Sequence, residues 1–456
     1  MQNRKKRAAL HNLGCKVNAY ETEAMGQSLV EAGYELVPFD EEADIYLVNT
    51  CSVTNMADRK SRQMLHRARK RNREAVIVAV GCYVQAQAEE ILKSGDADLI
   101  IGNNQKGRLI DLLSQYGEKK EPMSAEPAGA VLDIARVKEY EELSLSRTAE
   151  HTRAFIKIQD GCNQFCSYCI IPYTRGRIRS RKPEDILLEM ERLAAAGYRE
   201  VVLTGIHLSS YGKDLEQEVS LLTVIKAVAG VEGIRRIRLG SLEPRIVTEK
   251  FVRELSAISK VCPHFHLSLQ SGCDATLKRM NRHYTTAEYA ACCALLRKYY
   301  EHPAITTDVI VGFPGETAEE FETTLSFLRE TGFYEMHIFK YSRRQGTKAA
   351  AMAGQVPEEA KTERSHKALA LAAELSKEFR SCCEGTIREL LLEEEQEIGG
   401  KRYMTGFTKE YVKAAIELDG KEESQLFPGN ILPIRLSGKR EKGGEELLLA
   451  EKLTEV

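Results

Sequence analysis

Apolar and polar positions follow three regimes along the chain. Over residues 1–117, short apolar runs alternate with amphipathic segments. Ala8–Leu13, Asp44–Asn49, Ala75–Val80 and Asp98–Ile101 read as strands, with Glu21–Ala32 and Ala86–Lys93 as helices between them. That alternation predicts an α/β fold in which helices cover an open parallel sheet. It lapses over 118–147, which reads as a linker. It returns over 148–378, with strands expected at Phe155–Asp160, Glu200–Gly205, Arg236–Gly240, Phe265–Leu269, Ile305–Gly312 and Glu335–Lys340. Six such units predict a partial (βα)6 barrel, which does not close as eight would and leaves a lateral opening. Over 379–446 the pattern breaks into short strand-like pieces separated by glycines, including Tyr403–Thr408, Tyr411–Lys413 and Asn430–Ile434. These predict a small β-barrel.

Composition narrows the picture. The 456 residues are too many for one ordinary domain. No apolar run reaches membrane-spanning length, and the basic start of the chain leads into too short an apolar stretch for a signal peptide. A cytoplasmic protein is expected. Its twelve cysteines then point to metal or redox chemistry more than to disulfides. The net charge of −2 hides one strong segregation: eight of the fifteen residues from Arg59 to Arg73 are basic and none is acidic. Arg59, Lys60, Arg62, Arg67, Arg69, Lys70, Arg71 and Arg73 therefore predict contact with a phosphate backbone, the alternative being a merely solvated helix face. For the last segment, RNA binding and a plain packing module fit equally, since Glu393–Glu395 interrupt any basic surface.

Candidate chemistry lies in two sets of cysteines. Cys162, Cys166 and Cys169 form a C-x₃-C-x₂-C spacing just past the strand-like run Phe155–Asp160. Three thiolates there can hold three corners of an iron–sulfur cube and leave one iron open. A zinc site is the alternative, but no second ligand pair follows. Cys15, Cys51 and Cys82 each fall just past a strand of the first sheet, where open α/β sheets collect ligands. Gly14 and Gly81 allow tight turns beside them. Their convergence predicts a second cluster; three buried free thiols are the bland reading. The other six cysteines match no ligand spacing and read as structural.

With these cysteine sets and three segments, the whole chain resembles the methylthiotransferases of the radical SAM superfamily. Leu13-Gly14-Cys15, Asn49-Thr50-Cys51 and Gly81-Cys82 look like the family's auxiliary-cluster domain. Residues 161–169, followed by Ile170–Gly176, look like its radical SAM core, with Tyr168 as the aromatic before the third cysteine. Gly406–Tyr411 is similar to the RNA-binding TRAM module. The resemblance implies two 4Fe-4S clusters. One, on Cys162, Cys166 and Cys169, reduces S-adenosylmethionine to a 5′-deoxyadenosyl radical. The other, on Cys15, Cys51 and Cys82, carries the sulfur that is methylated and inserted at C2 of an adenine.

Further site residues follow more weakly. Thr204, Gly205, Ser241 and Glu243 would contact the amine or ribose of S-adenosylmethionine, and Gly312 its adenine, each with an ordinary turn as the alternative. Arg175, Arg177, Arg179 and Arg181 alternate along an extended segment and read as gripping RNA phosphates or the cofactor carboxylate. The implied partners are a tRNA anticodon stem-loop and an electron donor of flavodoxin or ferredoxin type. The stretch Asn49–Gln63 resembles the branch acting on N6-threonylcarbamoyladenosine. Alternatives are methylthiolation of N6-isopentenyladenosine or of a ribosomal-protein aspartate, or, in another class, an iron–sulfur scaffold. The protein substrate leaves the basic run without a purpose, and the scaffold leaves the partial barrel without one.

Overall fold

Five parallel strands open the chain: β1 (Arg7–Asn12), β2 (Glu35–Val37), β3 (Ile45–Thr50), β4 (Val76–Gly81) and β5 (Leu99–Ile101), in the order β2-β1-β3-β4-β5. Alternate residues feed two apolar clusters. Tyr46, Val48, Ile77 and Ala79 pack with Leu65 and Tyr83 on one face; Ile45, Leu47, Val78 and Val80 pack with Met25, Leu29 and Leu112 on the other. Helices cover both faces, so β3 is buried at every position. The edge strand β2 has only three residues, too few to mark the sequence pattern. The computed structural model describes residues 4–119, 131–145, 152–217, 219–418, 426–442 and 445–453. Residues 120–130 and 146–147 of the expected linker lie outside them.

The second unit is built on β6 (Arg153–Asp160), β7 (Arg179–Ser180), β8 (Glu200–Gly205), β9 (Arg236–Leu239), β10 (His264–His266), β11 (Ala304–Val311) and β12 (Glu335–Lys340). β6, β8 and β9 pair in parallel, as do β10, β11 and β12. Parallel bridges Ile237–Val261 and Leu242–Leu267 join the two groups into one curved wall. The short β7 pairs antiparallel with the end of β6. Ile156, Leu203, Leu239, Phe265, Val309 and Met336 face the surrounding helices in one apolar core. The alternate positions face the lumen and are largely polar, including Lys157, Glu200, Arg238, His266 and Asp308.

The helix Glu358–Cys383 leads into β13 (Ile387–Ile398), β14 (Lys401–Thr408), β15 (Lys413–Glu417), β16 (Ile431–Lys442) and β17 (Glu445–Lys452). They close as a barrel in the order β13-β14-β15-β17-β16. Its last strand ends at Lys452, beyond the expected 446. This barrel seats against one end of the wall. Arg153 stacks on Phe407 and Tyr411 at 4.9 and 4.7 Å, and Arg238 on Tyr411 at 4.6 Å. Arg236 and Arg238 also donate to the carbonyls of Phe407 and Lys409 at 3.1 and 2.9 Å. Buried Glu200 pairs with Arg238 at 3.0 Å.

The first unit is locked to the second by charge. Glu21, fully buried, meets Lys106 at 3.1 Å, Lys157 at 2.7 Å and Arg175 at 2.9 Å. Asp160 meets the same Lys157 at 2.7 Å and Arg175 at 3.1 Å. Burial alone would raise the Glu21 pKa, but Arg175, Lys106 and Lys157 outweigh it and hold the carboxyl below its ordinary value. Removing one partner of such a network strands a buried charge, at about 3–5 kcal/mol. Arg175→Met is therefore expected to lower unfolding free energy by about that amount in urea at neutral pH. The contribution from Glu21 is complete above its ordinary pKa of 4.5 and fades as pH falls below it, so the variant and the natural chain should converge in acid.

Candidate active site between two cysteine triads

The first triad sits where β6 ends. Gly161 takes φ +69°, and a Cβ there would collide with the carbonyl of Arg177. The chain then folds back tightly: the Cys162 amide donates to the Gly176 carbonyl at 3.0 Å and the Cys169 amide to the Cys166 carbonyl at 2.9 Å. The loop is pinned from outside by Ser167, whose amide donates to Met280 and whose hydroxyl donates to Arg279, at 2.9 and 2.8 Å. Arg282 points a guanidinium nitrogen at Cys166 Sγ, 3.3 Å away. Burial pushes the Cys162 thiol up to about 11 and Cys169 up to about 12.

The second triad comes from three neighbouring strands. Cys15 follows β1, Cys51 follows β3, and Cys82 heads the helix Cys82–Ser94 after β4. A Cβ on Gly14 would lie 3.0 Å from Cys51 Sγ, so the first two loops touch. Asn18 ties them, donating to the carbonyls of Leu13 and Thr50 at 2.7 and 3.0 Å. Asn103 lies 3.6 Å from Cys82 Sγ and donates to the Thr174 carbonyl at 2.7 Å. Burial pushes Cys51 up to about 12 and raises Cys15 too. Cys15 is the exposed member of this triad, and Cys51 and Cys82 are buried.

Arg175 joins the two triads. It lies six residues past Cys169, donates to Asn18 Oδ1 at 2.6 Å, and interacts electrostatically with Cys15, Cys51 and Cys82. Two carboxylates, Glu21 and Asp160, face four cations, Lys106, Lys157, Arg175 and Arg179, in this network, which leaves spare positive charge beside thiols that must be thiolates to bind metal. A tetrahedral zinc would draw its sulfurs to about 3.8 Å of one another. Among the described residues neither triad brings three ligand atoms within even 4.8 Å. Wider spacing and an all-sulfur donor set fit an iron–sulfur cube better than a single ion.

A cavity of about 240 Å³ opens between the triads. Val53 and Thr54 line it from the Cys51 loop, Tyr168 and Cys169 from the other, and Gln270, Asp308, Ile310 and Phe339 from the barrel wall. Tyr168 lines the cavity edge-on to Phe313 at 6.4 Å. Thr204, Gly205, Ser241, Glu243 and Gly312 do not line this cavity. Gly205 packs against the Gln159 side chain, and Glu243 binds Arg245 at 2.7 Å within electrostatic reach of Cys162. Gly312 gives its N–H to the Glu316 carboxylate and abuts Lys361.

One expectation about arginines is overturned. Arg175, Arg179 and Arg181 are buried and paired with Glu21, Asp160 and Glu189, while Arg177 is exposed. The four do not share one extended segment: Arg175 caps a short helix, Gly176 turns the chain at φ +72°, and β7 begins only at Arg179. The basic run forms the helix Asn55–Arg71. Arg59, Lys60, Arg67, Lys70, Arg71 and Arg73 are exposed, whereas half-buried Arg62 bonds Tyr83 and Arg69 pairs with Asp98 at 2.6 Å. Sequence reasoning missed Asn18, Glu21, Asn103, Lys157 and Arg282. A Glu inside an otherwise ordinary helix gives no local sign that it will be buried.

Known proteins agree with this arrangement. Residues 156–328 match the Radical SAM superfamily, and residues 7–102 match the family described as Uncharacterized protein family UPF0004. A radical S-adenosylmethionine methyltransferase, TsrM from Kitasatospora setae, shares the fold with a TM-score of 0.57 at 15% identity, over 76% of this chain and 77% of its own. The second unit is therefore a radical SAM domain, a class that implies one 4Fe-4S cluster and S-adenosylmethionine. The threonylcarbamoyladenosine tRNA methylthiotransferase MtaB of Bacillus subtilis is 42% identical over 410 residues, 90% of each chain. Its Aquifex aeolicus counterpart is 39% identical, over 85% of this chain and 93% of its own. A tRNA-2-methylthio-N(6)-dimethylallyladenosine synthase of Caldicellulosiruptor saccharolyticus is 37% identical, over 83% and 80%. The chain belongs to the tRNA methylthiotransferase family of radical SAM proteins. No helix among the described residues is long and apolar enough to cross a membrane.

Gly161→Ala tests the first loop. A side chain in the left-handed region costs about 1–3 kcal/mol before the collision with Arg177 is counted. The variant should melt lower and retain less iron after anaerobic gel filtration than the natural chain.

Proposed function

We propose that this protein inserts a methylthio group at C2 of N6-threonylcarbamoyladenosine next to the anticodon of tRNA, giving 2-methylthio-N6-threonylcarbamoyladenosine. The observation that carries the reading is the cavity flanked by two cysteine triads that Arg175 and Asn18 hold in register. Residues 1–117 act as the auxiliary-cluster domain, 148–378 as the radical SAM core and 379–446 as a TRAM-like RNA-binding domain, with 118–147 linking the first two. Cys162, Cys166 and Cys169 would hold one 4Fe-4S cluster, and Cys15, Cys51 and Cys82 the other. With S-adenosylmethionine bound, these groups supply the radical and sulfur chemistry that side chains lack.

The chain's own residues orient and shield. Arg282 and Arg175 place positive charge beside the two thiolate sets. Tyr168 and Phe339 give the cavity apolar walls against which a flat base can lie. The exposed cations of the helix Asn55–Arg71 would meet the tRNA backbone. An electron donor of flavodoxin or ferredoxin type would serve the first cluster, and a tRNA substrate puts the reaction in the cytoplasm. Among relatives, those named for threonylcarbamoyladenosine reach 42% identity and those named for dimethylallyladenosine 37%, which favours the former substrate.

Reconstituted enzyme offered matched anticodon stem-loops should methylthiolate the threonylcarbamoyl form. Activity on the isopentenyl form alone would reverse the substrate assignment while leaving the reaction class intact. Iron content should be about eight atoms per chain. Replacing Cys162, Cys166 and Cys169 by Ala should halve it and abolish S-adenosylmethionine cleavage. Replacing Cys15, Cys51 and Cys82 should halve it and abolish sulfur insertion only. Iron unchanged in either variant counts against two clusters.

Binding to tRNA should weaken steeply with salt, because each phosphate contact releases counterions. Changing Arg67, Lys70 and Arg71 to Glu should flatten the log–log salt slope by about 2–3. A slope identical to that of the natural chain would show that this helix face is only solvated.

A further inference from the structure

Outside the cysteine triads, three polar side chains converge in the lumen of the partial barrel. His266 on β10, Asp308 on β11 and His337 on β12 stand on adjacent parallel strands, with Asp308 and His337 direct partners in register. A nitrogen of each imidazole and a carboxylate oxygen all lie within 4.8 Å of one another. The imidazole rings are 5.8 Å apart. His266 Nδ1 is 3.0 Å from Thr306 Oγ1, and its Nε2 is 3.1 Å from Asp308 Oδ2. His337 is exposed and has no hydrogen-bond partner among the described residues. Asp308 also lines the 240 Å³ cavity beside Cys169, and His266 and His337 adjoin that wall through it. Lys16, next to Cys15 in the first domain, is exposed and interacts electrostatically with Asp308, Arg153 and Arg238.

Two ligand chemistries suit two histidines and a carboxylate. A divalent cation is one. It is disfavoured here, because Lys16, Arg153 and Arg238 make the surroundings cationic and Glu200, the nearby acid, is already taken by Arg236 and Arg238. Both nitrogens of His266 would also have to give up their present partners. An organic anion that donates and accepts hydrogen bonds suits the cationic surroundings and can be met by His337 and Asp308 while His266 keeps its present partners.

We infer that His266, Asp308 and His337, with Lys16 opposite, form the pocket that reads the N6 substituent of the adenosine, and that it takes a urea bearing a carboxylate and a hydroxyl. This rests on the proposed function and adds to it the residues that select the substrate. Asp308 accepts from the urea N–H groups, His337 serves the urea oxygen or the hydroxyl, His266 holds Asp308 in place through Nε2, and Lys16 pairs with the carboxylate. A hydrocarbon substituent in the same place would leave these groups dehydrated and unpaired, which is the strongest form of rejection a pocket has.

The test uses reconstituted full-length enzyme with matched iron content and three synthetic stem-loops. One carries threonylcarbamoyladenosine, one its neutral carboxamide, and one isopentenyladenosine. Lys16→Met should lower kcat/KM for the carboxylate substrate by about 10- to 100-fold and the carboxamide much less, and Lys16→Arg should restore the preference. His337→Ala and Asp308→Asn should lower kcat/KM for both urea substrates and narrow the margin over the isopentenyl one. Equal losses on carboxylate and carboxamide in Lys16→Met, or His337→Ala activity matching the natural chain, would overturn the pocket alone. Stoichiometric zinc or manganese that the natural enzyme retains through chelator-free gel filtration, and His337→Ala loses, would overturn it in favour of a metal site. Natural enzyme active only on the isopentenyl stem-loop would overturn the proposed function and the pocket together.

Discussion

Glu21 has no water around its carboxylate, and the cations that replace water come from three separate places in the chain. Lys106 belongs to the first domain, Lys157 to the first strand of the barrel wall, and Arg175 to the turn beyond the cysteine loop. An ion so buried is stable only if every partner is present, which makes the network a geometric constraint more than a source of stability. Through Arg175 and Asn18 it fixes one cysteine triad against the other. The cavity between them exists because these two domains cannot slide.

The barrel wall carries the same division of labour along each strand. Residues facing outward are apolar and knit the helices into one core, while their immediate neighbours along the strand are largely charged or polar. A lumen of this kind cannot be left empty at both ends. The C-terminal barrel covers one end with Phe407 and Tyr411, on which Arg153 and Arg238 stack, and Glu200 neutralises part of their charge. The C-terminal barrel is therefore attached at that end of the lumen, where the Tyr411 ring also lies 5.1 Å from that of His264 on β10.

Much was legible in sequence where the information is local. The spacing from Cys162 to Cys169 needs only eight residues and one loop, and the strand ends that carry Cys15, Cys51 and Cys82 follow from short apolar runs, with glycine beside the first and last. The parity of β8 and β12 gave their exact extents. The arginines after the cysteine loop were misread for the opposite reason. Their alternation predicted one shared side for all four, but the turn at Gly176 breaks the extended segment, and the acids that hold Arg175 and Arg179 inward, Glu21 and Asp160, lie well outside it in sequence.

The sequence by itself determined the classes of ligand and fold: soft sulfur donors in threes, a parallel sheet, a partial barrel and a small closed one. Tertiary structure decided which charges are tools and which are mortar. Arg175 meets Glu21 across 154 residues and Lys157 meets it across 136. A cation's role depends on whether its counter-charge arrives in the same dry volume. That is a property of the folded arrangement, because the desolvation that makes a charge structural appears only when distant segments close around it.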